Sequence, residues 1–345
     1  MDIVDNNVNI TKHINNNNKR HVSSLNNIAY WLKLNTEYIN KKNKPIINKY
    51  KKILNQKVIN TIIKCVKYNI NVMAILYQLN NNDINLLIGD AFKYTNIYMI
   101  NYINNYVKID HKLIVKQVLI FCKNGNIDVI KYLHREIGLT KQYFQSDNNK
   151  ACRLACKNGH INIVKYLHRE FGLTKEDFQS DDNEACRWAC NNGHLNIIKF
   201  LHREIGLTKD DFQSYNNSSF AWTCENGHID IVKYLHQEIG LTKEDFQSGN
   251  SYACQWACRN GHIDIVKYLH REIGLTKDNF QTCNNLACRW ACKNGHIDIV
   301  KYFYQEIGLK KQDFQSLNNW TYNNALKNKY NKVVEYLLNE INIFS

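Results

Sequence analysis

The stretch ACKNGHINIVKYL, residues 155–167, decides how the whole chain is read. Its first part ends at Asn158-Gly159, a pair suited to the left-handed close of a helix. Beyond that point Ile161, Ile163, Val164, Tyr166 and Leu167 recur with helical spacing, while Asn162, Lys165 and Arg169 fall on the other side, until Gly172 ends the run. Upstream, Ala151, Cys152, Ala155 and Cys156 make one face of a shorter helix, which Asn149 is placed to cap. The local prediction is helix, turn, helix.

The pattern then repeats. Gly125, Gly159, Gly193, Gly227, Gly261 and Gly295 are spaced 34 apart, and strings such as EIGLTKEDFQS join the copies. Neither helix of a unit can bury its apolar side alone, so each unit must stack on its neighbours. The expected fold class is an all-α helix-turn-helix solenoid. Six regular units are assigned to 115–318, and a capping unit to 319–345, where Lys329 stands in the place of the turn glycine and Tyr330 in that of histidine. Two degenerate units are read over 61–114 from CVKYNINVMAIL and AFKYTNIYMINYI, and residues 1–60 form a basic, Asn/Lys-rich region. In the connector Phe178 is an apolar anchor, and Asp177 follows Thr174 by three residues, the spacing of a capping box that opens one more helical turn.

Composition supports the helical reading, with one proline in 345 residues. No run of 18 apolar residues occurs and the first residues, MDIVDNNVNI, lack a secretory pattern, so the expectation is an intracellular, reducing compartment with free thiols. The net charge of +14 is uneven: residues 1–116 carry 17 Lys and Arg against 6 Asp and Glu, the rest 28 against 25. Nine lysines between 38 and 82, Lys49, Lys51 and Lys52 among them, have no acid between them. They support an alternative function, a nucleic-acid or anionic-membrane adaptor acting through the amino-terminal region.

The segment NGHIDIVKYL resembles the ankyrin-repeat family, with its Gly-His pair followed by an apolar second helix. The 34-residue units and the LTKEDF connector resemble divergent ankyrin proteins of giant DNA viruses of amoebae. Helix one departs from the family by starting KACR, EACR or LACR in place of Thr-Pro-Leu-His, and the connector lacks the usual Gly-Ala-Asp hairpin. The resemblance implies that Gly125, Gly159, Gly193, Gly227, Gly261 and Gly295 are structural turn residues. It also implies that His160, His194, His228, His262 and His296 hydrogen-bond between neighbouring units, and that the chain binds proteins, host proteins if it is viral.

Chemistry is sought in the repeated columns. The pairs Cys152/Cys156, Cys186/Cys190, Cys254/Cys258 and Cys288/Cys292 share helix faces, but Val118 and Phe220 hold the first slot in sister units and neither ligates a metal. Both histidine columns, at the turn and at His134, His168, His202, His236 and His270, repeat at the spacing of stacked helices, about 8–10 Å, too far for one zinc to bridge. Catalytic residues, metal and cofactor are all expected to be none, and the chain to be a monomer without a small-molecule substrate. The Trp188, Trp222, Trp256 and Trp290 column is either core or an exposed aromatic strip. Just before the turn the residue varies while its surroundings do not: Lys157, Asn191, Glu225, Arg259, Lys293. With Arg153, Arg187, Gln255 and Arg289 these are taken to face outward and hold a protein partner.

Overall fold

The computed structural model describes residues 111–344. Among them every regular element is helical and no strand occurs. In chain order they are α1 (His111–Asn124), α2 (Ile127–Tyr132), α3 (Lys141–Lys157), α4 (Ile161–Phe171), α5 (Lys175–Asn191), α6 (Leu195–Arg203), α7 (Lys209–Phe212), α8 (Ser214–Glu225) and α9 (Ile229–Gln237). Next come α10 (Lys243–Asn260), α11 (Ile263–Arg271), α12 (Lys277–Phe280), α13 (Thr282–Lys293), α14 (Ile297–Tyr302), α15 (Lys311–Phe314), α16 (Ser316–Lys327) and α17 (Asn331–Asn339). The degenerate units, the basic region and its lysine run lie outside the described residues. Residues 128–139, with α2 and a π-helical turn at Leu133–Ile137, belong to a different compact unit from 118–127 and 140–344. The latter unit holds the stack of repeats.

First helices α3, α5, α8, α10, α13 and α16 stack in series, and second helices α4, α6, α9, α11, α14 and α17 stack beside them in the same order. The Ala and Cys face of each regular first helix is buried, as at Ala185, Cys186, Ala189 and Cys190. Small side chains there let helix backbones approach closely. Each second helix buries its aliphatic face, as Ile197, Ile198 and Leu201 do, and leaves residues such as Asn196 and Arg203 in solvent. The connector contributes Phe144, Phe178, Phe212, Phe246, Phe280 and Phe314, all fully buried. Burying each one contributes about 1.5–3 kcal/mol before ordering costs.

The turns close as their glycines require. Gly159 has φ +79°, and the next N–H, from His160, reaches back to the Ala155 carbonyl at 3.0 Å. Second helices end on a wider loop: Gly206, at φ +79°, lets Leu207 N–H bond the Leu201 carbonyl at 2.9 Å. In the capping unit Lys329 takes the left-handed conformation at φ 62° in the glycine's stead.

The connectors are one-turn helices, not hairpins. Asp177 Oδ2 accepts the Thr174 N–H at 2.9 Å, and Asp211 and Asp245 do the same for Thr208 and Thr242. Each of these aspartates also joins neighbouring units. Gln145 Nε2 donates to Asp177 at 2.8 Å and Lys141 lies 2.8 Å from it; Gln179 and Lys175 meet Asp211 likewise. Burial raises the Asp177 pKa, but the bonds from Lys141, Gln145 and Thr174 outweigh it and leave the carboxyl below its ordinary value.

Beyond several of these one-turn helices the backbone makes a turn that helical periodicity does not predict. Asp147, Asn148 and Asn149 all lie in the left-handed region, with φ of 55°, 53° and 57°, and so do Asp181, Asp182 and Asn183. Cys283, Asn284 and Asn285, then Leu317, Asn318 and Asn319, repeat the turn. Asn149 therefore does not cap the following helix: its conformation is left-handed, not extended, and its Oδ1 is enclosed without a hydrogen bond from the protein. A left-handed residue costs roughly 1–2 kcal/mol unless it is glycine, less for Asn and Asp. Something must hold three in a row.

Candidate functional site

The arginine column supplies that hold in three of the four turns, and in the turn at Leu317–Asn319 Asn323 Nδ2 donates to the Asn318 carbonyl at 3.2 Å instead. Arg187 Nε donates to the Asp182 carbonyl at 2.9 Å and its Nη2 to the Asp181 carbonyl at 3.0 Å. Arg153 bonds Asn148 and Asp147 in the same way, and Arg289 bonds Asn284 and Cys283. Arg153 also pairs with Asp181 and Glu184 of the next unit, and only 12% of its side chain is exposed. Gln255, expected to point outward, is buried at 3% exposure, with its amide donating to Thr282 Oγ1 at 3.1 Å. An uncharged amide at this position fits inside the seam between units. Position 255 is therefore corrected from surface to interior, and the arginines are committed to their own backbone.

The pre-turn column behaves differently, because its carbonyls are fixed and its side chains are not. His194 Nε2 donates to the Lys157 carbonyl at 3.0 Å, and Asn192 Nδ2 donates to the same oxygen at 2.7 Å. Asn191 receives His228 and Asn226, Glu225 receives His262 and Asn260, and Arg259 receives His296 and Asn294. His160 bonds the Lys123 carbonyl, and Asn328 alone bonds that of Lys293, since Tyr330 stands where a histidine would. A carbonyl only accepts, so each histidine carries its proton on Nε2. The turn histidines thus join neighbouring units, as the resemblance implied. Every pre-turn residue offers a carbonyl, whatever its side chain, which is the physical reason this column is free to vary.

Beside it lies the tryptophan column, half-buried at Trp188, Trp222, Trp256 and Trp290. The rings are neither fully buried nor exposed, so the column lies between the two readings. Trp188 and Trp222 stack with ring centroids 6.4 Å apart and planes 24° from parallel. Lys157 Nζ sits 3.4 Å from the Trp188 centroid, and the Arg259 guanidinium lies 4.7 Å from Trp256 and 4.6 Å from Trp290. Lys293 covers Trp290 at 4.7 Å. Cations over ring faces contribute about 0.5–1 kcal/mol at exposed sites and more once water is excluded. The strip is thus a row of large aromatic rings, partly open to solvent, edged by side chains of mixed charge.

The other columns have structural partners. His202, His236 and His270 pair through Nδ1 with the hydroxyls of Tyr234, Tyr268 and Tyr302, each at 2.9 Å. His168, whose neighbour is Phe200, pairs with its own Leu173 carbonyl at 2.8 Å. The cysteines of the four pairs are buried; burial drives the Cys186 thiol well above its ordinary pKa and lifts Cys254 to about 12, so these sulfurs are poor nucleophiles and ligands. Among the described residues no group of three or more His, Cys, Asp or Glu is arranged to hold a metal, and no helix is long and apolar enough to cross a membrane.

A family model described as ankyrin repeats in three copies matches residues 118–211, 186–281 and 255–345, overlapping windows that together run from 118 to 345. No curated protein matches the chain.

Proposed function

The chain belongs to the ankyrin-repeat family, whose repeats generally mediate protein–protein binding, and from that premise we propose that it is a non-enzymatic scaffold holding a protein partner along the tryptophan strip. The observation that carries this reading is the division of labour at the turn: backbone atoms lock one unit to the next, while the side chains of Lys157, Asn191, Glu225, Arg259 and Lys293 vary beside half-exposed rings. Aromatic and arginine side chains dominate binding energies when a partner buries them. The sign of charge changes along the strip, which suits an elongated partner of mixed charge. The outward part of the site is narrowed to the pre-turn column with the tryptophans; Arg153, Arg187 and Arg289 contribute at its edge. The 34-residue form and its connector support a viral protein that contacts host proteins.

The double change Arg259→Glu with Lys293→Glu tests the strip. Affinity capture on the full chain, read by mass spectrometry, recovers the partner; the double variant is expected to lose it while staying folded, with melting temperature lowered only by the lost cation–ring contacts. Capture that survives this change but disappears with Lys49→Glu, Lys51→Glu and Lys52→Glu replaces the strip with the basic amino-terminal region. That second reading rests on the excess of 17 basic over 6 acidic residues in 1–116. It also requires steep loss of binding with salt.

A further inference from the structure

The gaps between successive tryptophans of the strip are not filled alike. Each pre-turn residue follows its tryptophan by three places and reaches toward the ring of the next unit. Arg259 shows the register, its guanidinium lying between Trp256 and Trp290 at 4.7 Å and 4.6 Å from their centroids. Lys293 takes the following gap, 4.7 Å from Trp290 and 5.8 Å from Trp320. Toward the other end, Trp188 and Trp222 close on each other in a stack, and the Asn191 amide is tied to Asn192 and Asn226.

One gap is different. In the same register Glu225 belongs to the gap between Trp222 and Trp256 and puts an acid where Arg259 puts a cation. Among the described residues no cation lies over Trp222, no ring contact joins Trp222 to Trp256, and the Glu225 carboxylate has neither an ion pair nor a hydrogen bond. Its backbone carbonyl is held by His262 and Asn260, so the residue is anchored while its charge is not answered. Trp188 covers Trp222 from the preceding unit and Arg259 covers Trp256 from the following side, which leaves the two faces turned toward each other. Both rings stay partly open to water, and Tyr252, one helical turn before Trp256 on the same face of α10, is 48% exposed.

We infer that this gap takes an arginine side chain of the protein partner, its guanidinium laid between Trp222 and Trp256 as Arg259 is laid one unit further on, and paired with the Glu225 carboxylate. The chain itself displays the group that fits between two tryptophans of this stack. Aromatic faces attract a cation through their quadrupole, and an unpaired carboxylate beside them adds to the attraction. Arginine is favoured over lysine because a planar guanidinium stacks on both rings while offering paired donors to a carboxylate, whereas an ammonium is a point charge held more strongly by water. The inference rests on the strip being the partner site, and adds the chemistry of one contact.

The probe is N-acetyl-arginine amide, titrated into the full chain with its tryptophan indole nitrogens isotope-labelled, so that each ring is read separately by NMR. N-acetyl-lysine amide and N-acetyl-citrulline amide, the latter similar in shape to arginine but uncharged, are the comparators. Saturable shifts are expected, largest at Trp222 and Trp256, with affinity about fivefold or more above either comparator. Glu225→Gln should weaken binding about fivefold or more, and Glu225→Arg should abolish it by filling the gap from within. Both changes keep the carbonyl that His262 and Asn260 use, and melting temperature reports that the variants are folded. Absence of saturable binding, equal binding of the lysine or citrulline probe, or affinity unmoved by Glu225→Gln overturns the inference. Partner capture that survives Arg259→Glu with Lys293→Glu overturns the strip instead; the indole shifts are read without any partner, so the two failures are told apart.

Discussion

Among single residues, two glycine columns show separate reasons for having no side chain. Gly193 and Gly206 share φ +79°, but a Cβ on Gly193 would stand 2.7 Å from the His228 ring, whereas one on Gly206 would meet nothing within 4 Å. Gly206→Ala is therefore expected to cost about 1 kcal/mol of backbone strain, and Gly193→Ala about 3 kcal/mol, because it also displaces the histidine bonded to the Asn191 carbonyl. Equal shifts in the urea midpoint of the two variants would show that the contact across units carries no weight. The histidines set the pH response too. Burial holds His194, His202 and His270 below the ordinary imidazole value. The unfolded chain then binds protons at a higher pH than the folded one, so stability is full above about pH 6.5 and falls as pH drops through that value toward the lower folded pKa values. Thermal melts from pH 8 to 5 should show this loss, and His202→Gln should lessen it.

At the level of the element, the connector is a one-turn helix followed by a left-handed turn, and the second depends on an arginine one helical turn later. Arg187→Met keeps the length of the side chain but removes the bonds to the Asp181 and Asp182 carbonyls. A loss of about 0.5–1.5 kcal/mol is expected, the net contribution of hydrogen bonds whose exposed carbonyls water can take over. Cys283→Asn provides the converse test, since Cys283 at φ 53° holds a conformation that asparagine adopts more readily. Its melting temperature should rise slightly; a fall would mean that the turn is held by the cysteine side chain and not by Arg289.

For the whole stack, stability should be distributed because each joint repeats the same bonds. Deleting 217–250, so that 216 joins 251, would let His262 donate to the Asn191 carbonyl as His228 does, and Gln213 donate to Asn279 as Gln247 does. One ion pair, Lys209 with Asp245, is lost. The shortened chain is expected to fold and remain soluble. Removing residues from Trp320 onward takes away α17 and most of α16, which cover the last regular unit, and also the Asn328 donor to the Lys293 carbonyl. Aggregation of that truncation, read by light scattering, is the expected result, and equal solubility of the two deletions would remove the capping role.

Features that depend on near neighbours and on the period were legible in the chain alone. Gly159 and Gly172 end helices through their own φ, Asp177 caps through Thr174 three residues away, and the 34-residue repeat forces whatever serves one unit to serve the next, which made the turn histidines readable. The remainder came only with packing, for a physical reason in each case. Three of the left-handed turns are tied by Arg153, Arg187 and Arg289, which return to carbonyls five and six residues behind them, a distance no helical or strand pattern encodes. Gln255 is interior because Thr282, 27 residues on, gives its amide a partner. How much of Trp188 and its column stays open to water depended on how closely stacked helices cover their sides, and that is fixed only when neighbouring units are in place.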